Sequence, residues 1–445
     1  MDYTQAREFI EETGKYGIVC GLDSIKSLMA RLGNVQERLC IIHVAGTNGK
    51  GSVCAMLSNI LLAAGYRTGV YTSPAVFEPE EIMKVNGRAV TQEEFAALAG
   101  RVQAACRDMQ KEGLPHPTAF EVETAIAFCF FWQEACEYVV LETGLGGEQD
   151  ATNLITHPVC SVFASISKDH MAFLGNTLQE IAAAKAGILK PGCPCVSAAQ
   201  KPEVLEVLKQ AAAQKQSAFY TADPASLRRF SYDGRQSFFE ADWYPAAPAP
   251  GGEQAGVRQE AIAGTLGLVG ACQRQNLACV LETVRLLRGR GVLISREAVL
   301  EGLAHVRLPG RMERIAGAPD FYIDGAHNEG AAYCLRETIM HCLAGRRIVY
   351  IIGVFADKEY EKALQALLPY AAQVFTVTPR HPRALDGRIL AQKVQHMQAM
   401  AAYMPDVGKA AAAAQAAAGT DGVVLAFGSF SYLKELKAAV QGRVF

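Results

Sequence analysis

The sequence predicts an α/β protein of two domains, and three observations support this. The chain has 445 residues, more than one ordinary domain contains. Short apolar runs of strand character recur, each followed by a polar or glycine-rich turn and then a helix-like apolar stripe. This series occurs both before and after Leu308-Pro309-Gly310. We therefore predict a first domain at residues 1–306, a linker at 307–311 and a smaller second domain at 312–445.

Composition narrows the class of protein. The net charge of −2 gives no reason to expect nucleic acid or an anionic membrane as a partner. No apolar run is as long as a membrane span, and the polar N-terminus is unlike a signal peptide. The 13 cysteines are scattered through apolar stretches. This distribution is typical of a cytoplasmic protein whose thiols are reduced. We interpret the close pair Cys193 and Cys195 as structural, because no second pair stands at zinc spacing.

A strand-like run, a glycine-rich loop and a helix-like stripe follow one another at residues 41–61. Backbone N–H groups of such a loop and the positive end of the helix face an anion, and Lys50 adds a mobile charge. The general phosphate-loop pattern would have glycine at Val44 and a hydroxyl residue at Gly51, whereas the hydroxyl comes at Ser52. A glycine-rich turn without a ligand is the alternative. We predict a phosphate site made by Thr47, Asn48, Gly49, Lys50, Gly51 and Ser52.

Further elements complete the first domain. Strands are predicted at 68–71, 138–141, 159–166 and 195–197. Helices are predicted at 90–109, from 117, from 177 and at 275–288, two of them opened by capping-box pairs. Residues 217–263 show short alternating runs around a Pro/Gly/Ala loop at 244–256, which we expect to be mobile.

The second domain repeats the α/β pattern. Strands are predicted at 321–323, 348–352, 374–377 and 423–427, each followed by a polar or glycine-rich turn. Ligands of open α/β sheets bind outside the carboxyl ends of the strands, so these turns form one candidate edge. Arg311, Asp324, His327 and Asn328 cluster here in the sequence. Arg311 would neutralise charge on a transferring phosphate, and the alternatives are a surface arginine and a plain Asp324-Gly325 turn.

Three polar residues of the first domain stand where burial concentrates them. Glu121 opens an apolar helix, where the competing explanation is a capping-box glutamate. His170 follows a buried strand. It would serve there either as a ligand or as a hydrogen-bonded structural residue. Lys185 lies on an apolar stripe, so its amine must pair, reach solvent or lose its charge.

A nucleoside triphosphate at the loop would bring Mg²⁺ with it, and Mg²⁺ prefers oxygen ligands. An uncharged Lys185 amine is nucleophilic and would take up CO₂ as a carbamate, which resembles a carboxylate. A buried pair with Asp169 or Asp150 is the alternative for this lysine. The predicted metal ligands are Ser52, Glu121, His170 and a carbamate on Lys185.

The chain resembles the folylpolyglutamate and dihydrofolate synthases of the Mur-ligase superfamily, ATP-dependent enzymes that form amide bonds. The resemblance runs from Gly21 to Ser429, and the Gly51 insertion points to the folate branch. It is carried by His43-Val44-Ala45-Gly46-Thr47-Asn48-Gly49-Lys50-Gly51-Ser52, Thr72-Ser73-Pro74, Glu142-Thr143-Gly144-Leu145-Gly146-Gly147, Asp150-Ala151-Thr152-Asn153, Asp169-His170, Leu174-Gly175, Lys185-Ala186-Gly187-Ile188, Pro309-Gly310-Arg311 and Asp324-Gly325-Ala326-His327-Asn328.

The resemblance implies a Mur-ligase-like fold, with an N-terminal phosphate-loop domain and a smaller Rossmann-like C-terminal domain that ligates glutamate. It implies ATP and Mg²⁺, a second Mg²⁺, a monovalent cation and carbamylated Lys185. Folate, L-glutamate and ATP would be the substrates, and the protein would be a monomer. The expected catalytic residues are Lys50, Lys185, His170 and His327, with His327 in the interdomain cleft. The expected nucleotide contacts outside the loop are Gln273, Asn276, Arg311 and Asp324.

The implied reaction transfers the γ-phosphate of ATP to a folate carboxylate, and the amine of L-glutamate then displaces phosphate. Tetrahydrofolate is the expected acceptor, and dihydropteroate a second one. Two departures bear on this choice. Family members commonly have His-Leu at Ala75-Val76 and Arg-Leu at Glu148-Gln149. Neither departure touches the predicted ATP site.

Three other functions compete with this one. A Mur-type ligase acting on a cell-wall precursor would need a nucleotide-sugar domain, and the first 38 residues are too few to form one. A nucleotide-binding module without ligase activity would bind ATP, but folate and glutamate would not stimulate ADP release. A hydrolytic NTPase is less favoured, since no residue is obviously placed to activate water.

Overall fold

The computed structural model describes residues 1–17, 19, 21–243, 260–358 and 360–442. The loop predicted at 244–256 lies outside these residues. The α-helices are α1 (Tyr3–Thr13), α2 (Asp23–Arg31), α3 (Lys50–Ala63), α4 (Gln92–Lys111), α5 (Ala119–Gln133), α6 (Met171–Leu174), α7 (Leu178–Ala186), α8 (Pro202–Gln214), α9 (Cys272–Gly289), α10 (Arg296–His305), α11 (Glu329–Cys342), α12 (Tyr360–Leu367), α13 (Gly387–His396), α14 (Val407–Ala418) and α15 (Leu433–Gln441). The β-strands are β1 (Ile41–Ala45), β2 (Thr68–Tyr71), β3 (Met83–Val85), β4 (Arg88–Ala89), β5 (Tyr138–Glu142), β6 (Cys160–Phe163), β7 (Cys195–Ser197), β8 (Phe219–Thr221), β9 (Leu227–Tyr232), β10 (Ser237–Trp243), β11 (Glu260–Leu266), β12 (Glu313–Gly317), β13 (Asp320–Ile323), β14 (Ile348–Ile352), β15 (Gln373–Thr376), β16 (Ala401–Tyr403) and β17 (Val423–Phe427).

The larger sheet carries the predicted phosphate loop. Its order within the described chain is β4-β3-β2-β5-β1-β6-β7-β8, and β1 runs parallel to both β5 and β6. All five residues of β1 are buried, as expected of a strand covered on both faces. The carboxyl ends of β1, β5 and β6 therefore meet at one edge, where Gly46, Thr143 and Ala164 continue the chain.

The second sheet has the order β12-β13-β17-β14-β15-β16 in the described chain. Strands β13, β17, β14, β15 and β16 are parallel, and β12 pairs with β13 in the antiparallel sense. The four predicted strands of this half are confirmed, and their carboxyl ends share one edge. Strands β12 and β16 were not predicted, because each is short and only partly buried.

The helices follow the predicted patterns closely. The capping boxes Thr118/Glu121 and Thr177/Glu180 open α5 and α7. In each, the threonine hydroxyl accepts the glutamate N–H while the glutamate carboxylate accepts the threonine N–H, which satisfies two helix-end donors. Ten of the fifteen α5 residues are buried, so this helix is enclosed on nearly all sides.

Contacts divide the chain into two compact units. Unit 1 contains residues 1–228, 241–263 and 275–306, and unit 2 contains 229–240, 264–274 and 307–445. The strands β9, β10 and β11 form a separate three-stranded sheet of order β11-β10-β9. The boundaries given above at 306 and 311 stay a prediction, and they do not anticipate the two early segments that belong to unit 2.

None of the helices described here combines the length and the apolar character that a membrane crossing requires.

Candidate active site

The phosphate loop is fastened to the segment that follows β6. The backbone N–H groups of Thr47 and Asn48 both donate to the Ser165 carbonyl, at 2.7 and 3.1 Å. The Thr47 hydroxyl donates to the Ser167 carbonyl at 2.9 Å, and the Ser167 N–H donates back to that hydroxyl at 3.1 Å. Two neighbouring strand ends thus hold the loop in one shape before any anion arrives, which reduces the ordering cost of binding.

Gly49 occupies a place that only glycine fills without strain. It precedes α3 with φ of +89°, in the left-handed region. A Cβ at this position would stand 2.3 Å from Oδ1 of Asn276, so the loop and the amide of Asn276 approach each other closely. Asn276 was predicted to contact the nucleotide, and it lies beside the phosphate loop within unit 1.

Lys50 and Ser52 lie in the first turn of α3. Ser52 is buried, and the side chain of Lys50 is partly exposed. Lys50 Nζ lies 3.7 Å from Oε1 of Glu142, the last residue of β5. Glu142 is 4% exposed, and the β1–β5 register sets it opposite Val44, just before the loop. A buried carboxylate therefore faces the phosphate-loop lysine.

Glu142 was missed in our list of candidate side chains, although its motif was recognised. The sequence contained a signal for Glu142, because a glutamate at the end of an apolar buried strand is rarely found there without a partner or a function. The glutamate predicted as a metal ligand is Glu121. The structure places Glu121 at the start of α5, where Oε1 accepts from the Ile25 N–H at 3.1 Å and Oε2 accepts from Thr118. The capping-box explanation accounts for these contacts.

Lys185 is buried beneath the phosphate loop. It is 4% exposed, and its Nζ donates to the carbonyl of Gly46 at 2.8 Å. Burial and the nearby charge of Lys50 lower the pKa of Lys185 to about 7, against the opposing pull of Asp169 and Asp150. Near neutral pH this amine is uncharged in a substantial fraction of molecules, which is unusual for a lysine and makes it nucleophilic.

His170 begins the short helix α6 in a left-handed conformation, φ +51°. Its backbone N–H is tied to Oδ1 of Asp169 at 2.8 Å, and the residue is exposed. Its neighbour Asp169 acts on the charge of Lys185, so this turn belongs to the same neighbourhood as the phosphate loop.

A buried chain of hydrogen bonds crosses unit 1 behind the loop. The Thr152 hydroxyl donates to Oδ1 of Asp150 at 2.5 Å, so the Nε2–H of His43 donates to that hydroxyl, at 2.8 Å. Oδ2 of Asp150 accepts the Leu145 N–H at 2.6 Å, which holds the turn after Glu142. Burial lowers the pKa of His43 to about 3 and raises that of Asp150. His43 is therefore neutral.

In unit 2 the turn after β13 forms a second polar centre. Both oxygens of Asp324 accept backbone N–H groups, from Met312 at 2.9 Å and from Ala326 at 2.8 Å. Burial raises the pKa of Asp324, and the Arg311 guanidinium opposes that shift. Arg311 lies over the ring of Phe430, 4.8 Å from its centroid. The structure thus brings together Arg311 and Asp324, and Arg311 is not a plain surface arginine.

Three further predicted residues are His327 and Asn328, in or beside this turn, and Gln273, at the start of α9. Nδ1 of His327 is 2.8 Å from the carbonyl of Gly325, and the Asn328 side chain caps α11 by accepting the Ala331 N–H. Gln273 is 2% exposed and belongs to unit 2, whereas Asn276, one turn later on α9, belongs to unit 1.

In the described residues no group of three His, Cys, Asp or Glu side chains is arranged to hold a metal.

Comparison with known proteins gives the family. Residues 44–280 match the family described as "Mur ligase middle domain", and residues 310–430 match "Mur ligase, glutamate ligase domain". The Bacillus subtilis protein named dihydrofolate synthase/folylpolyglutamate synthase is 36% identical over 387 residues, which are 86% of either chain.

Solved structures give the same answer. The chain superposes on the Mycobacterium tuberculosis folylpolyglutamate synthase, complexed with ADP and AMPPCP, with a TM-score of 0.85 and 28% identity, over 99% of this chain and 98% of that one. It superposes on Escherichia coli FolC, in complex with DHPP and ADP, with a TM-score of 0.83 and 27% identity, over 98% of each chain. The predicted fold class is therefore confirmed: the chain belongs to the Mur-ligase family and, within it, to the ATP-dependent folylpolyglutamate and dihydrofolate synthases.

Proposed function

We propose that this enzyme adds L-glutamate to tetrahydrofolate, with dihydropteroate as a second acceptor. A substrate carboxylate attacks the γ-phosphorus of ATP, the bond to ADP breaks, and an acyl phosphate forms. The glutamate amine then attacks the acyl carbon, loses a proton, and phosphate departs. The observation that carries this proposal is the fastened phosphate loop, with Lys50 facing Glu142 and Lys185 beneath it, in a chain of this family.

The phosphate loop supplies charge and donors for the phosphates. Gly49, Lys50 and Gly51 bring backbone N–H groups to the start of α3, where the helix end favours an anion. The ammonium of Lys50 balances negative charge that moves during transfer. Thr47 and Asn48 support the loop through their bonds to the β6 segment.

Mg²⁺ fits the donors at this edge, because a serine hydroxyl and a carboxylate are the oxygen ligands it prefers. Ser52 and Glu142 are the residues we assign to it, and Mg²⁺ would neutralise phosphate charge. We favour Glu142 over Glu121 because both Glu121 oxygens already accept hydrogen bonds at the start of α5. His170 stays a predicted nitrogen ligand. The second Mg²⁺ and the monovalent cation also stay predictions.

Lys185 is proposed to act as a carbamate. The ammonium first loses a proton; the neutral amine then attacks CO₂, an N–C bond forms and a second proton is released, so that with two protons lost a cation becomes an anion. The new carboxylate would lie near the ammonium of Lys50, which replaces a like-charge repulsion by an attraction. Burial supports this reaction by keeping the amine uncharged near neutral pH.

Unit 2 and Asn276 of unit 1 are proposed to contribute the remaining nucleotide contacts, and unit 2 is proposed to position glutamate. Arg311 offers a guanidinium that lies over the ring of Phe430, and Asp324 offers a half-buried carboxylate whose pKa burial raises and the guanidinium lowers. Gln273 and Asn276 are proposed nucleotide contacts, and His327 stays a predicted catalytic residue. No nucleic acid or membrane takes part, the protein is a monomer, and it acts in the cytoplasm.

The two positions that differ from the common family sequence, Ala75-Val76 and Glu148-Gln149, bear on which acceptor the enzyme prefers. Ala75 packs against the main core of unit 1, so it offers the acceptor no polar group. Glu148 is exposed, and its backbone N–H donates to the Ala184 carbonyl at 2.9 Å. The missing cation there therefore changes surface charge near α7 without disturbing the core. We expect weaker use of dihydropteroate than of tetrahydrofolate.

The test is ADP release that depends on glutamate, measured with tetrahydrofolate and, in parallel, with dihydropteroate. Release with tetrahydrofolate supports the proposal, and release with both supports the second acceptor. Lys50→Ala should abolish release in both, while Lys111→Ala, an exposed lysine on α4, should leave it unchanged. ATP binding without release in either assay would instead support a nucleotide-binding module.

A further inference from the structure

Two cysteines of unit 2 lie against each other outside the residues assigned so far. Cys272 is the first residue of α9, and Cys334 lies on α11. Their side chains are hydrogen-bonded to each other. Each residue keeps part of its surface exposed.

Backbone contacts fix this pair independently of the sulfurs. The N–H of Ala271 donates to the Thr338 hydroxyl at 3.0 Å, and that hydroxyl donates to the carbonyl of Cys334 at 2.8 Å. Thr338 and Cys334 are one turn apart on α11 and share a face. The chain just before α9 is therefore attached to the face of α11 that carries Cys334.

The two thiols differ in acidity. Cys272 donates its S–H to the sulfur of Cys334, which stabilises a Cys334 thiolate and lowers the pKa of that thiol, against burial and the charges of Asp324 and Glu337. The same bond raises the pKa of Cys272. The thiolate is the reactive form, so Cys334 is the better nucleophile. By contrast, burial raises the pKa of Cys342, further along α11, to about 11.

We propose that Cys272 and Cys334 form a reversible disulfide, with a peroxide as oxidant, and that this disulfide weakens nucleotide binding. The Cys334 thiolate attacks the O–O bond of the peroxide, which leaves a sulfenic acid on Cys334 and releases hydroxide, protonated to water. The Cys272 thiol then forms the S–S bond and releases a second water. Two thiols lose two electrons and two protons, and one hydrogen peroxide becomes two waters.

The effect on nucleotide binding follows from position and rests on the proposed function of Gln273, Arg311 and Asp324. A covalent S–S bond brings the sulfurs closer than a hydrogen bond does, so the start of α9 must move towards α11. Gln273 follows Cys272 directly, and the charges of Asp324 and Arg311 act on Cys272. A shift there displaces groups that we assign to the nucleotide.

The experiment treats the full-length enzyme with hydrogen peroxide, quenches with catalase, and measures KM for ATP before and after dithiothreitol. We expect KM to rise about tenfold, the effect of one lost hydrogen bond, and to recover on reduction. Peptide mapping should show a crosslink between the peptides of Cys272 and Cys334. Cys334→Ser should resist peroxide, whereas Cys342→Ser, the control on the same helix, should respond as wild type.

Peroxide treatment that leaves Cys272 and Cys334 uncrosslinked would overturn the proposal. So would a crosslink without any change in KM, or an equal response of Cys334→Ser. Peptide mapping does not depend on activity. A reduced enzyme that releases no ADP with any acceptor would count against the proposed function, while the crosslink result would still stand.

Discussion

At the scale of single residues, burial decides which side chains gain unusual chemistry. Lys185, His43, Asp150 and Asp324 all lie in surroundings that disfavour their charged forms. The sequence identified Lys185, because a lysine on an apolar stripe is anomalous. The sequence did not predict that His43 is neutral, because its partner Thr152 is 109 residues away and no local pattern connects the two residues.

Lys185→Ala should be inactive and should regain part of its activity with a short added carboxylate that replaces the carbamate. In the wild type, the amine is protonated below about pH 7, so activity at low bicarbonate should fall as pH drops through 7 and added bicarbonate should restore it. Mass spectrometry at high bicarbonate should detect the carbamate. Full activity of Lys185→Ala without any additive would refute the role.

Burial of a charged Lys185 also affects stability. Its pKa in the folded state, about 7, is below the ordinary value of 10.5, so the cost of burying the charge is present below pH 7 and relieved as pH rises towards 10.5. Lys185→Met, of similar length and without charge, should therefore unfold at a higher temperature than wild type below pH 7.

Glu142→Gln and Glu121→Gln test which carboxylate serves the metal. Glu142→Gln should raise the Mg²⁺ concentration for half-maximal activity about tenfold or more, because one anionic ligand is lost. Glu121→Gln should instead lower the melting temperature, since it weakens the bonds to Thr118 and Ile25. A raised Mg²⁺ requirement in Glu121→Gln but not in Glu142→Gln would instead assign the ligand role to Glu121.

The low pKa of His43 gives stability a defined dependence on pH. Below pH 6.5 the unfolded chain takes up a proton at His43, whereas the folded chain does not until about pH 3. Stability is therefore lost as pH falls through this window, by about 2 kcal/mol between pH 7 and pH 5. The stability difference between wild type and His43→Gln should shrink by that amount in urea titrations, and His157→Gln, at an exposed site, should show no such change.

At the scale of elements, local patterns predicted most helices and the buried strands well. Capping boxes and apolar stripes located α5 and α7, and the runs at 348–352 and 423–427 match β14 and β17. The edge strand β12 and the short β16 were missed, because each is short and only partly buried. Glu142 was not among the predicted ligands for a different reason: only the parallel pairing of β1 with β5 brings it to the loop.

Helix α3 offers a matched pair of glycines. Gly49 precedes the helix at φ +89° and Gly65 follows it at φ +93°, but a Cβ would collide with Asn276 only at Gly49. Gly65→Ala should cost about 1 kcal/mol of stability from backbone strain and leave KM for ATP unchanged. Gly49→Ala should raise KM for ATP at least about tenfold, because the loop must change shape. Equal effects of the two substitutions on KM would contradict this explanation.

At the scale of the whole molecule, unit 2 is built from three stretches of the chain. Its main apolar core includes Val269 together with Tyr322, and Tyr232 packs against that core. A fragment of residues 307–445 lacks both Val269 and Tyr232. We expect it to melt at a lower temperature than a fusion that restores residues 229–240 and 264–274. Equal melting of the two proteins by circular dichroism would mean that the early segments add no stability.

The buried ring of His43 has a practical consequence. Its Nε2–H points at Thr152 in a wholly enclosed site, so deuterium from the solvent reaches this proton only when the strand beneath the phosphate loop opens. In an enzyme with ¹⁵N-labelled histidine, the exchange rate of this single ring signal would report how often that strand opens, and a bound nucleotide should slow it. The ring signal would thus measure local opening of β1 in the folded enzyme.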